Sequence, residues 1–216
     1  VTATLVPFGD TAWRARLPEA SDGASRRALL EALRALPDVV DVVVSEQHAL
    51  VVLGEGAPLD DAREGITRAL AGTSDATAAT AARSEVREHV VHARYDGADL
   101  AEVAAASGLA AADVVARHTG AVYEVAFLGF LPGFAYLRGL DPRLVLPRRA
   151  TPRTRVPALS VAVAGPYTGV YPFAAPGGWH LLGTALGFAP FHALTGAAMA
   201  PGDRVRFVAA GGEAPP

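Results

Sequence analysis

Cysteine and lysine are both missing from the 216 residues. Without cysteine there are no disulfides, no thiolate metal sites and no cysteine nucleophile. Without lysine there is no Schiff-base chemistry and no Walker lysine, so any nucleotide handled by this chain is not held by a P-loop. Abundant Ala, Arg and Gly beside absent Lys and Asn point to a compositionally biased genome, and the exclusions hold on that explanation too. No apolar run approaches the roughly 20 residues that a membrane span needs. The segment Val1 to Phe8 carries no basic region followed by an apolar stretch, so no signal peptide is read and a cytoplasmic location is the default expectation. With 51% apolar residues and a net charge of −3, the composition is that of a soluble globular protein.

Charge is unevenly placed. Residues 1–124 hold 11 Arg against 19 acidic residues, whereas residues 125–216 hold 8 Arg against only Asp141, Asp203 and Glu213. The second part is expected to offer a basic, nearly carboxylate-free surface suited to an anionic ligand or an acidic partner. Nucleic acid fits less well, because the chain is slightly acidic overall and no arginine stripe runs along a helix.

Apolar periodicity predicts strands at Thr4–Phe8 and Thr11–Leu17 and a helix at Ser25–Leu36, with Ser21, Asp22 or Ser25 as N-cap. A hairpin over 39–53 follows, and then an amphipathic helix at Leu59–Leu70. This βαββα pattern implies a small antiparallel sheet with two helices on one face. Gly72 to Arg83, rich in Ala, Thr and Ser, reads as a linker. Beyond it come a strand at Glu88–Tyr95 and short helices at Asp99–Ser107 and Ala110–His118, broken at Gly108. Asp99 and Asp113 lie where they suit the positive helix N-termini. From Val122 onward, short strands punctuated by Gly and Pro predict a compact β-barrel. The fold class is therefore α+β, with a small ferredoxin-like α+β domain and its linker in 1–80 and a β-barrel domain in 84–216.

Three clusters could carry chemistry. Gly129 to Leu137 reads as a rigid loop whose backbone can approach a ligand, with Gly133, Phe134 and Tyr136 walling a pocket; a barrel corner with ordinary core aromatics fits equally. Arg148, Arg149, Arg153 and Arg155 lie within eight residues between prolines, a stiffened set of guanidinium groups for carboxylate or phosphate. A solvated basic loop is the competing reading. In Pro176-Gly177-Gly178-Trp179-His180, Gly178 allows close backbone approach. Trp179 is either an exposed stacking surface or a buried plug at one barrel end. Candidate bases and nucleophiles are scattered (His180, His192, Asp141, Ser160, Tyr136), and no Gly-x-Ser-x-Gly elbow occurs. His89 and His92 fall on opposite faces of a strand, so no metal pair is expected. Since no complete catalytic set is recognisable, a half-site is the simplest explanation.

These clusters, in this order, resemble the family of allophanate hydrolase subunit 1, also called the 5-oxoprolinase B subunit. It includes a sporulation kinase inhibitor and part of the carboxyltransferase region of urea carboxylase. The matching stretches are Phe8–Ala12, Gly129–Leu137 with Gly139–Asp141, Pro147–Pro157, Ser160–Gly165, Thr168–Pro172 and Pro176–Trp179. The resemblance implies a small N-terminal α+β domain, a cyclophilin-like barrel, and a second carboxyltransferase-like subunit that shares the active cleft in a hetero-oligomer. It further implies ATP-dependent opening of 5-oxoproline, a small amide substrate, to glutamate. No metal or covalent cofactor is evident in the chain. The binding residues expected are Arg148, Arg149, Arg153, Tyr136, Phe134, Gly133, Gly178, Trp179 and His180, with the catalytic residues unassigned. Three departures from the family pattern stand out: Leu159 replaces a usual Gly, the turn at 96–99 is short, and Thr184 follows Gly183 where Arg is common. A biotin-dependent carboxyltransferase half and a histidine-kinase regulator are the alternative functions.

Overall fold

The computed structural model describes residues 4–17, 22–75 and 86–211. The chain divides into two compact units, Val1–Val86 and Arg87–Pro216.

In the first unit, β1 (Leu5–Pro7) and β2 (Ala12–Arg16) form a hairpin, followed by α1 (Gly23–Arg34), β3 (Val39–Val44), β4 (His48–Leu53) and α2 (Leu59–Asp75). The sheet runs β1-β2-β4-β3, and every pair in it is antiparallel. Period-two alternation buries Ala49, Val51 and Leu53 of β4. They pack with Leu29 and Leu33 of α1 and Ile66 and Leu70 of α2, which places both helices on one face. Asp22 is the N-cap of α1, its carboxylate accepting from the Ser25 amide at 2.7 Å. Helix α2 continues to Asp75, so Gly72–Asp75 is helical rather than linker. No proline stands between Leu70 and Asp75, so nothing there removes the next backbone hydrogen bonds. The remainder of the expected linker, 76–83, lies outside the described residues.

The second unit holds β5 (Glu88–Arg94), α3 (Leu100–Ser107), α4 (Ala111–Gly120), β6 (Val122–Leu128), β7 (Ala135–Arg138), β8 (Arg153–Val156), β9 (Ser160–Ala164) and β10 (Tyr167–Val170). Then come β11 (Ala175–Gly177), β12 (His180–Leu186), β13 (Phe191–His192), β14 (Gly196–Ala197) and β15 (Arg204–Ala209). Among the described residues, seven strands close a barrel in the order β10-β7-β6-β15-β5-β12-β9, and β5 with β15 is its parallel pair. Val91, Val125, Leu137, Val161, Val163, Leu182 and Phe207 share the main core with Leu100, Val103 and Val114 of the two helices.

All five residues of β9 are buried. Val161 and Val163 belong to the main core, while Ala162 and Ala164, pointing the opposite way, belong to a separate aromatic cluster. One wall of the barrel therefore carries packing on both faces. A bulge in β6 between Val125 and Phe127 brings both Ala126 and Phe127 into that second layer.

Candidate functional site: an aromatic floor and a guarded arginine loop

The Gly129–Leu137 segment is not a loop throughout. Gly129 N–H donates to the Phe134 carbonyl at 3.1 Å and closes the turn, and from Ala135 the chain is strand β7. The turn drops Phe134 into the aromatic cluster, with its ring edge-on to Tyr136, Tyr171 and Trp179 at centroid distances of 5.1, 5.2 and 5.2 Å. Tyr136 stacks on Phe127 at 4.3 Å and meets Trp179 at 5.5 Å. Trp179 is only 4% exposed. It is therefore a packed floor residue, set against the outer face of β9 rather than across a barrel end. The small side chains of Ala162 and Ala164 leave room for this layer of rings. Gly133, at φ +80°, sits against Pro190 and Phe191, where a Cβ would come within 2.5 Å of the Pro190 carbonyl.

The arginines separate sharply. Asp99 is 2% exposed, and its Oδ1 accepts from Arg149 at 2.9 Å and from Arg153 at 2.5 Å. Its Oδ2 accepts from the Leu181 amide at 2.8 Å. Glu102, one turn along α3, also binds Arg149. Asp99 occupies the N-cap position of α3 but makes no side-chain cap, because its oxygens are committed to these partners. Burial alone would raise its pKa; hydrogen bonds from Arg153 and the Leu181 amide, with the charges of both guanidiniums, outweigh that and hold it below the ordinary carboxylate range. The expected carboxylate-free arginine surface is corrected accordingly. Residues 125–202 contain few acids, but α3 supplies Asp99 and Glu102 from outside that stretch. Sequence reasoning missed this pairing, although the i, i+3 spacing of Asp99 and Glu102 and the i, i+4 spacing of Arg149 and Arg153 were both readable.

Arg148 differs. It is exposed and has no carboxylate partner among the described residues. Burial raises the pKa of Tyr136, and the charge of Arg148 opposes that rise. Burial also raises the pKa of the Tyr171 phenol. Arg155 is exposed on β8.

The remaining candidates hold structure together. The His180 Nε2–H donates to the Pro147 carbonyl at 2.9 Å, and its Nδ1 lies 3.8 Å from Glu102. The Gly178 carbonyl accepts from the Arg149 amide at 2.8 Å. The Ser160 hydroxyl donates to the Pro157 carbonyl, and Asp141 caps a short 3-10 turn at Pro142–Leu144 while binding Arg117. His92 is exposed, whereas His89 is partly buried against Asp203 at 3.0 Å. Among the described residues no group of three or more His, Asp or Glu side chains could hold a metal ion. The site has a buried aromatic cluster and, in the arginine segment, two exposed guanidiniums, Arg148 and Arg155, and none of these candidates forms a nucleophile–base pair.

The three family departures have a shared geometry. The 96–99 turn lies directly on β12, with Gly97 N–H donating to the Leu182 carbonyl at 3.0 Å and Asp99 N–H to the Leu181 carbonyl at 3.1 Å. Thr184 donates to Asp96 at 3.1 Å. Leu159 adopts φ +63°, a left-handed conformation natural to the glycine usual in the family, and packs on the main core.

A family model described as carboxyltransferase domain, subdomain C and D, matches residues 3–190. The chain is 40% identical over 181 residues to the 5-oxoprolinase B subunit of Escherichia coli O157:H7, covering 83% of this chain and 82% of that protein. It is also 40% identical to the crystal structure of TTHA0988, with a TM-score of 0.78 over 95% of this chain. The chain spans 41% of the length of TTHA0988. The Kluyveromyces lactis urea carboxylase, at 16% identity and a TM-score of 0.70, shares the fold. No helix among the described residues is long and apolar enough to cross a membrane. With the match running through both units and across every cluster of the site, the chain belongs to the family of the carboxyltransferase domain, subdomains C and D, which is also that of the 5-oxoprolinase B subunit.

Proposed function

We propose that this chain is the B-type subunit of an ATP-dependent 5-oxoprolinase, which opens 5-oxoproline to glutamate and is active only with a second, carboxyltransferase-like subunit. What carries the reading is the 40% identity to a 5-oxoprolinase B subunit across 83% of the chain. The site agrees with it. The exposed guanidiniums of Arg148 and Arg155 suit an anionic small-molecule substrate, while the group that activates water would come from the partner. In this reading ATP is consumed by the whole complex, and the setting is cytoplasmic.

The domain division follows the same reading, with a small α+β domain in 1–80 and a cyclophilin-like barrel in 84–216. A ferredoxin-like description of the first domain is supported by its strand order. Strands β2, β3 and β4 with α1 and α2 reproduce a split β-α-β unit, and β1 takes the outer edge that a strand after α2 would otherwise fill.

The test is co-expression with candidate partner subunits, followed by an assay for glutamate released from 5-oxoproline in the presence of ATP. Release that requires both ATP and this subunit is expected. A stable complex with no release would instead favour another amide substrate or a carboxyltransferase, and a chain that forms no complex would point to the kinase-regulator alternative.

A further inference from the structure

The sheet of the first unit has one covered face and one open face. Helices α1 and α2 both pack on the face lined by Val42, Val51 and Leu53. An antiparallel sheet covered on one side ordinarily turns polar side chains to water on the other. This one does not. The register places Val6, Arg14, Leu50 and Val43 in a row across all four strands on the open face, and Ala12, Val52 and Asp41 in the row beside it. Phe8 extends that second row, because its amide donates to the Ala12 carbonyl at 2.8 Å. Its ring is 52% exposed, with the Arg14 guanidinium 5.8 Å from the ring centre, and Val43 is 46% exposed. Single exposed apolar side chains are ordinary on a protein surface, but here they adjoin one another through the sheet.

The geometry points to a second copy of this chain as the occupant of that face. Charge selects the partner. Arg14 and Arg16 stand on β2 and Asp41 on β3, so a wholly acidic partner would meet Asp41 and a wholly basic one would meet two arginines. A copy turned over about a two-fold axis meets neither obstacle. With the axis running along the strands between β2 and β4, the copy's β3 lies over β1, at the separation of about 10 Å usual for stacked sheets. Val43 then faces Val6, and Asp41 reaches the row of Phe8, where the Arg14 guanidinium already sits. The symmetry makes each contact twice. The Asp41 Oδ1 accepts from the Val42 amide at 2.8 Å, which holds the carboxylate in place for its partner. A complex built on this contact carries the subunit in pairs.

Sedimentation velocity on the full chain over a wide concentration range tests the assignment. The parent is expected to pass from monomer to dimer as the concentration rises. Val43→Arg, at a position exposed in the single chain, should remain monomeric throughout with its thermal melt unchanged. Arg14→Asp and Asp41→Arg each set like charges against one another twice in the dimer, so each alone should remain monomeric. An equimolar mixture of the two restores both opposite-charge pairs and should sediment as a dimer, a rescue that damage to the fold cannot produce. A parent that stays monomeric, a Val43→Arg protein that still dimerises, or a mixture that stays monomeric overturns the assignment. A monomeric parent whose hold on the co-expressed second subunit is lost in Val43→Arg overturns it in favour of that subunit as the occupant.

Discussion

His118, at the end of α4, is fully buried and neutral. Tyr95 donates to its Nδ1 at 2.7 Å, and its Nε2–H donates to Thr168 at 2.8 Å. Thr168 in turn donates its own proton to the Ala162 carbonyl at 3.0 Å, which makes it an acceptor for the imidazole and fixes the tautomer. Burial pushes the His118 pKa down to about 3. A histidine with a depressed folded pKa binds its proton more weakly than it does in the unfolded chain. Its contribution to stability is thus whole above the unfolded value near 6.5 and declines as the pH falls from there towards 3. We predict that denaturant unfolding between pH 6 and pH 4 loses about 1.4 kcal/mol per pH unit on account of this one group. His118→Gln, which can still donate to Thr168, should flatten that slope; equal acid slopes in both proteins would contradict the account. At the scale of single residues the sequence was a poor guide. It marked His118 only as the end of a helix, and it placed Asp99 at the helix N-terminus without showing that both its oxygens serve other elements. Pairings between residues 50 or more positions apart leave no local pattern to read.

Strand β12 shows how elements constrain one another. The 96–99 turn lies on it so closely that Cβ atoms built at Gly97 and at Gly183 would both fall inside contact distance of opposing backbone. Backbone cannot swing aside as a long side chain can, so Gly183→Ala is expected to destabilise the second unit by about 1–3 kcal/mol. Gly72, exposed in α2, has open space where its Cβ would be. Gly72→Ala should stabilise the first unit by about 0.5–1 kcal/mol through lost unfolded-state freedom. Thermal melts of the two variants against the parent check both signs, and a Gly183→Ala protein as stable as the parent would refute the close approach. Strand and helix placement was largely legible because burial imposes a period on the chain, as in β4 and α1. Strands β7, β8 and β11 were not, since they are short and contain the Gly, Pro and Arg residues that read as loop. The two-sided burial of β9 was equally hidden, because after Ser160 its four small apolar residues in a row have no alternation to display.

Across the whole molecule, the cores do not mix. The first core draws on residues between Trp13 and Leu70, while the barrel core and the aromatic cluster draw on residues between Val91 and Phe207. The barrel also closes its own chain entry. Asp203, fully buried, accepts from the Arg87 amide and side chain at 3.2 Å each and from the Ala200 amide at 2.9 Å, and it pairs with His89. These bonds tie the first residues of β5 to the turn before β15, the two parallel neighbours that complete the cylinder. A polypeptide of residues 86–211 therefore contains every described partner of its buried charges and both of its apolar clusters. We predict that this fragment folds alone, unfolds in a single cooperative transition and retains near-ultraviolet circular dichroism from Trp179, Tyr136 and Phe134. Rings held edge-on within about 6 Å of one another give such a signal only when their packing is fixed, so its survival would place the rigidity of the candidate site within the barrel itself. A fragment with far-ultraviolet but no near-ultraviolet signal would show instead that the aromatic floor depends on the first unit.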